Sequence, residues 1–283
     1  MTEPPAQNAE SWTTGLWEAE SFGAILKNGR TLPMQVGCVR RISSDGTKER
    51  REFLLKSVGH PEITTTSLFS EFTGNVLAQH FGINTPNPAL VRISPEFVNA
   101  TRRNPEFIQR SEGKIDLRAG VAVACEFISG LAPVQRDYDA SLPRDIAEAA
   151  RIFAFDMLVQ NPDRTFKGKT NLALSQGRLI AFDFEMCFSF IFLIGGASDP
   201  WNIDPKMSRA HLFFRSLQGK THDWTAFLDD LALLDSGKID HLSAGLLEVF
   251  PNCRRSAEMT SKHLSLVRGR ALDFRRELER SLG

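Results

Sequence analysis

The chain has 283 residues, with 34 basic and 34 acidic side chains, a hydrophobic fraction of 42% and a charged fraction of 24%. That length and composition fit a globular protein with a sizeable core, as one large domain or two lobes, and exclude disordered, collagen-like and coiled-coil chains. A formal net charge of zero excludes a strongly basic nucleic-acid binder, and the wide spacing of Cys38, Cys125, Cys187 and Cys253 excludes a paired zinc motif or a small disulfide scaffold.

Residues 1–11 read as a polar tail without the basic and apolar regions of a secretory leader. The longest apolar run, Met186–Ala197, is 12 residues long, against the roughly 20 needed to span a bilayer. The expectation is a soluble cytoplasmic protein with no membrane partner and no direct nucleic-acid partner. Three antiparallel strands are predicted over Ser21–Leu26, Leu32–Arg40 and Arg51–Val58, with turns at Lys27–Arg30, which contains Asn28-Gly29, and at Ser43–Gly46. A helix capped by Thr66 or Ser67 follows, its stripe formed by Leu68, Phe69, Phe72 and Val76 and its end marked by Gly82. Ala89–Ile93 and Gly120–Ile128 read as strands separated by a polar loop.

From Pro143 the period becomes helical, with Ile146, Ala150, Phe153, Met157 and Leu158 on one face and a stop at Asn161-Pro162. Two short strands, Asn171–Leu174 and Leu179–Phe184, flank Gln176-Gly177, and helices are predicted over Asp223–Leu234, Ile239–Phe250 and Ser256–Leu282. The order is α+β and bilobal: a tail (1–11), an antiparallel-sheet N-lobe with one helix (12–128) and a mainly helical C-lobe (129–283). A ligand is expected in the cleft between lobes.

The chain lacks the Gly-rich dinucleotide and Walker motifs, the His-Glu-x-x-His zinc motif and the Gly-x-Ser-x-Gly nucleophile elbow. Residues 153–188 are the informative stretch. Asp163 lies in a loop just past a helix, Asn171 opens a strand, and Asp183 ends the return strand. Phosphoryl transfer needs such a set: one carboxylate takes the acceptor proton, while an amide and a second carboxylate hold Mg²⁺ across nucleotide phosphates. Asp183 lies in the apolar run Leu-Ile-Ala-Phe-Asp-Phe, where an unpaired charge costs several kcal/mol. Lys56 ends the third strand and Glu71 lies on the flank of the first helix's stripe, the strand-Lys and helix-Glu pair that such a site requires.

The run Phe155-Asp156, Leu158, Asn161, Asp163-Arg164, then Asn171 and Asp183, resembles the catalytic core of HipA-like kinases, which are related to phosphoinositide lipid kinases and more distantly to protein kinases. The resemblance covers about Leu26 to Ser189 and implies a bilobal protein-kinase-like fold and an ATP- and Mg²⁺-dependent phosphotransferase of the serine/threonine type. It implies Asp163 as catalytic base, Asn171 and Asp183 as metal ligands, Lys56 as phosphate contact and Glu71 as its partner. Ala124–Phe127, with Glu126 and Phe127, would receive adenine, Gly29 would cover the phosphates, and Arg164 would contact phosphate or brace the loop. Asp156 and Asn161 would fix the loop by hydrogen bonds. The acceptor implied is a protein Ser or Thr. A small molecule or lipid headgroup, or an inactive nucleotide-binding interaction module, are the alternatives.

The chain departs from the pattern in three places. Asp163 and Asn171 are eight residues apart, longer than is usual in related kinases, so that the segment Phe166–Thr170 bulges out and offers Lys167 or Lys169 to a phosphate. Phe184-Glu185 follows Asp183 where protein kinases carry Phe-Gly, and the first hairpin has Gly29 alone in place of a Gly-rich cradle. The C-terminal helices, with Phe213-Phe214, Trp224 and the basic run Arg268–Arg280, read as an amphipathic lobe with a solvated charged face, the alternative being a partner surface.

Overall fold

The computed structural model describes residues 16–26, 31–42, 47–56, 60–192 and 199–283. The expected tail and the turns at Lys27–Arg30 and Ser43–Gly46, Gly29 among them, lie outside the described residues. Strands β1 (Trp17–Ile25), β2 (Met34–Arg41) and β3 (Lys48–Lys56) pair antiparallel, as their alternation predicts. Met34, Val36 and Cys38 on β2, and Phe53 and Leu55 on β3, turn to one side at period two and are buried. Between β3 and β4 runs α1 (Thr65–His80); β4 (Pro88–Ile93) and β5 (Gly120–Glu126) then complete the sheet. The strand order is β1-β2-β3-β5-β4, and a short parallel contact of Trp17 with Val91 closes it into a barrel. The closure corrects the expectation of a wholly antiparallel sheet.

The expected polar loop after β4 is two helices, α2 (Pro95–Arg102) and α3 (Pro105–Ser111). Each begins with a side-chain cap and a proline in the first turn: Ser94 Oγ accepts from Phe97 N and Asn104 Oδ1 from Glu106 N. Both helices bury one phenylalanine, Phe97 or Phe107, against the barrel. The chemistry was local, but polar composition masked it.

The cap of α1 is Thr64, two residues before Thr66 and three before Ser67, the caps expected. Thr64 and Ser67 form a reciprocal capping box, Ser67 N donating to Thr64 Oγ1 (3.0 Å) and Thr64 N to Ser67 Oγ (2.9 Å). Every residue from Leu68 to Ala78 is buried, so α1 is covered all round rather than on one face. Its apolar side chains join the larger core cluster, with α4 (Pro143–Leu158) and the helices that follow, not the barrel's own.

A second sheet contains β6 (Ala132–Pro133), β7 (Leu172–Ser175) and β8 (Arg178–Ala181). The β7–β8 hairpin turns at Gln176 (φ +49°) and Gly177 (φ +71°), the positive φ pair that a tight two-residue hairpin requires. The C-terminal part holds α5 (Pro205–Ala210), α6 (Phe214–Leu217), α7 (Thr225–Ala232), α8 (Ser236–Val249), α9 (Arg254–Gly269) and α10 (Ala271–Leu282). The short α5 and α6 were not expected. The single helix expected over 256–282 breaks at Gly269-Arg270, where Arg270 leaves helical geometry (φ −125°, ψ 32°). Val267, Phe274, Leu278 and Leu282 are all buried; that spacing continues across the break, so periodicity alone hid it. No helix among the described residues is long and apolar enough to cross a membrane.

Candidate active site

Lys56 is the last residue of β3, held between β2 and β5 by the pairings of Leu55 with Met34 and of Lys56 with Val123. Its ammonium meets three carboxylates: Glu71 Oε2 at 2.9 Å, Asp183 Oδ1 at 2.6 Å and Glu185 Oε2 at 3.4 Å. Glu71 Oε2 also accepts from Phe184 N at 2.7 Å, which fastens α1 to the residue after Asp183. Burial disfavours charge on Lys56, but the three carboxylates outweigh it and lift its pKa well above the ordinary value. Burial likewise opposes charge on Asp183; Lys56 overrides it, with Lys169 and Arg164 adding to the pull, and the carboxyl is held below its usual range. Glu71 goes the other way, raised by its burial.

The loop after α4 is braced from beneath. Asp156, fully buried, accepts from Asn161 Nδ2 (2.9 Å), Arg164 Nε (2.7 Å) and His211 Nε2 (3.0 Å). His211 Nδ1 accepts from Phe213 N (3.2 Å), so this buried imidazole is neutral with its proton on Nε2, and burial lowers its pKa. Burial would raise Asp156, but Arg164 and His211 hold it low. Asn161 Oδ1 in turn accepts from Asp163 N at 3.2 Å, which leaves the Asp163 side chain half-buried at the loop's tip.

Arg164 also reaches forward, Nη1 donating to the carbonyl of Asn171 and to that of Thr170 at 3.4 Å, with Phe184's ring 5.6 Å from its Cζ. Its side chain has no exposure. Of the two roles the sequence left open, this geometry serves the brace and not a phosphate contact.

Asn171 and Asp183 meet at one end of the β7–β8 hairpin, where Phe182 N donates to Asn171 O at 3.1 Å. Both have left-handed backbones, φ +50° and +60°, a conformation that Asn and Asp tolerate better than most residues. Asn171 Nδ2 donates to Asp163 Oδ2 at 2.7 Å; because a carboxylate only accepts, the amide oxygen is the atom left for a ligand. The Asn171 amide oxygen and the Asp183 carboxylate are hard donors, and with Glu71 and Glu185 gathered on the same ammonium as Asp183 negative charge is in excess; the set fits Mg²⁺.

At Glu126 and Phe127 the amide hydrogens are committed, Glu126 N to Asn87 O and Phe127 N to Glu52 O, both at 2.8 Å. Any adenine contact at these two residues falls to their carbonyls. A cavity of about 650 Å³ bordered by Arg144, Arg151, Arg178 and Trp224 contains none of the site residues.

A model of the HipA-like kinase family matches residues 46–193, just over half of the chain, which takes in the site residues from Lys56 to Glu185 but not His211. The chain belongs to the HipA-like kinase family. Among solved structures it is similar to the crystal structure of a Helicobacter pylori proinflammatory kinase, CtkA, at 13% identity and a TM-score of 0.47, over 95% of this chain and 100% of that one. None of the curated proteins matches it.

In this HipA-like kinase chain the structure brings Lys56, Glu71, Asp163, Arg164, Asn171 and Asp183 together, and sequence reasoning missed three of their neighbours. Glu185, the residue in place of a glycine, joins the Lys56 cluster. Gly74, inside α1, lies where a Cβ would stand 2.9 Å from Phe184 Cβ and 3.1 Å from Cys187 Sγ. A glycine in the middle of a helical stripe was the available signal for it. His211 has no local signal, being 55 residues from Asp156.

Proposed function

We propose that this chain is an ATP- and Mg²⁺-dependent kinase that transfers the γ-phosphate to a Ser or Thr hydroxyl of a protein. The observation that carries this reading is the 2.9 Å ion pair of Lys56 with Glu71, the contact that kinases need to aim the strand lysine at nucleotide phosphates. In this reading the barrel and α1 form the N-lobe (12–128), the remainder the C-lobe (129–283), and the nucleotide lies between. The Lys56–Asp183 contact opens to admit its phosphates. Asn171 Oδ1 and the Asp183 carboxylate would hold Mg²⁺, which would supply positive charge against the nucleotide phosphates.

Asp163 accepts the proton of the acceptor hydroxyl as that oxygen bonds to the γ-phosphorus, and the bond from γ-phosphorus to the bridging oxygen breaks to release ADP. Asp156, Arg164 and His211 hold the loop that presents Asp163. Four unpaired cysteines support the cytoplasmic setting.

The test is a thermal melt with ATP, with and without Mg²⁺, joined to a transfer assay. Wild type is expected to gain stability with MgATP by mass action, and Asp183→Asn to lose that gain. Asp163→Asn can still accept from Asn171 through its amide oxygen, so binding persists while transfer falls by about 10²–10⁴. Full transfer in either variant, or no stabilisation of wild type by any nucleotide, would refute the assignment.

A further inference from the structure

The segment that lengthens the span from Asp163 to Asn171 is folded, not loose. Thr165 N donates to Asp163 O (3.1 Å), and Gly168 N to Thr165 Oγ1 (2.9 Å). Arg136 Nε donates to Gly168 O (3.0 Å), Thr170 Oγ1 to Val134 O (2.8 Å) and Phe166 N to Ala210 O (3.2 Å). A Cβ on Gly168 would stand 2.7 Å from Thr165 Oγ1, so the turn closes this tightly only around glycine. The turn is thus clipped to the strand region after β6, to the end of α5 and to the backbone of the proposed base.

What it displays is positive charge. Lys167 and Lys169 are exposed on either side of Gly168, and Arg136 and Arg215 are exposed beside them. Lys167 Nζ and Arg215 Cζ lie 5.7 and 5.1 Å from the centre of the Phe166 ring. None of these four cations forms a close ion pair among the described residues, although Lys169 acts on Asp183 from a distance, whereas α10 pairs Arg275, Arg276 and Arg280 with acids on its own surface. Holding like charges on a rigid turn costs Coulomb energy that a neutral chain has no structural need to bear.

One feature sets the Phe166–Arg215 end of this cluster apart from the nucleotide. It is fixed to α5 and α6, which pack chiefly on α10 and α4. Lys167 and Arg215 are both exposed and both flank the Phe166 ring. Solvated cations on either flank of an apolar ring suit carboxylates spaced along a chain.

We propose that this turn is the acceptor platform and that it selects a protein segment with acidic side chains beside the target hydroxyl. The proposal rests on the kinase reading above. Lys167 and Arg215 would meet acidic residues flanking the hydroxyl presented to Asp163, and the Phe166 ring would supply an apolar step between them.

The experiment compares transfer from γ-labelled ATP to matched peptides with one serine flanked by acidic, neutral or basic residues, and to a phosphorylated sugar, while MgATP binding is followed by thermal shift. Wild type is expected to favour the acidic over the basic peptide by about tenfold in kcat/KM, through KM and less so at high salt. Lys167→Glu with Arg215→Glu is expected to reverse the preference, which damage to the fold would not do. Equal use of all peptides, transfer to the phosphorylated sugar alone, or no transfer to any acceptor despite nucleotide binding would each overturn the platform and leave the nucleotide site standing. Absence of nucleotide binding would overturn the kinase reading and the platform with it.

Discussion

Gly74→Ala tests whether the contact between α1 and the segment after Asp183 sets activity independently of stability. The added methyl would stand 2.9 Å from Phe184 Cβ, 3.1 Å from Cys187 Sγ and 3.3 Å from Cys187 Cβ. Two of those atoms are Cβ atoms fixed to the backbone, so no change of rotamer relieves the contact, and α1 or residues 184–187 must shift by a few tenths of an ångström. Overpacking of this kind costs about 1–3 kcal/mol, while replacing glycine by alanine inside a helix returns about 1 kcal/mol. The net loss is therefore about 0–2 kcal/mol, or a melting temperature lower by no more than about 8 °C.

The site is less forgiving. Glu71, one turn before Gly74, holds both Lys56 (2.9 Å) and Phe184 N (2.7 Å) through one oxygen, and a displaced α1 cannot keep both. Phosphotransfer and the MgATP-dependent rise in melting temperature are expected to fall, transfer by more than about tenfold, since small misplacements of positioning groups reach 10²-fold. Melts with and without MgATP, beside steady-state transfer, read both effects. A Gly74→Ala protein with wild-type melting temperature and wild-type transfer would refute the argument that glycine is required for this approach.

Arg164→Lys keeps the charge but loses the planar fork that joins Asp156 to the Asn171 carbonyl; a loss of about 3 kcal/mol is expected by urea unfolding, and an unchanged midpoint would remove the brace. Asn171→Ala loses the bond to Asp163 and leaves an ordinary residue at φ +50°. Asn171→Gly loses the same bond without the strain, so it should be the more stable variant by about 1 kcal/mol, a difference that equal midpoints would exclude. His263 donates to Leu158 O at 2.7 Å, and burial pushes its pKa down to about 4. Because the folded pKa lies below the unfolded one, the unfolded chain takes up the proton first. The contribution is whole above about pH 6.5 and is lost as pH falls towards 4, by at most about 3 kcal/mol. His263→Gln retains a donor, and unfolding at pH 7, 5.5 and 4.5 should show a flatter profile in that window; an unaltered profile would assign the acid loss elsewhere.

The sequence by itself determined the elements whose signals are local, and the residue types of the site. The period-two strands β2 and β3, the proline-led α4 and the Gln176-Gly177 hairpin all lie where pattern and turn chemistry predict. Lys56, Glu71, Asp163, Asn171 and Asp183 could be named because phosphoryl transfer asks for those groups in that order, and the family match spans them. Tertiary structure alone decided what each of them touches. The Lys56–Asp183 contact joins residues 127 positions apart and the His211–Asp156 bond residues 55 apart. Barrel closure by β4 and the all-round burial of α1 depend on partners distant in the chain. Arg164 makes the point in a single side chain: its place in the motif left phosphate contact and brace equally open, and its complete burial against Asp156 selects the brace. Residue type and spacing act within a few turns or one hairpin, whereas burial and ion pairing are properties of the packed chain, and it is these that fix the charge and the aim of every group in the site.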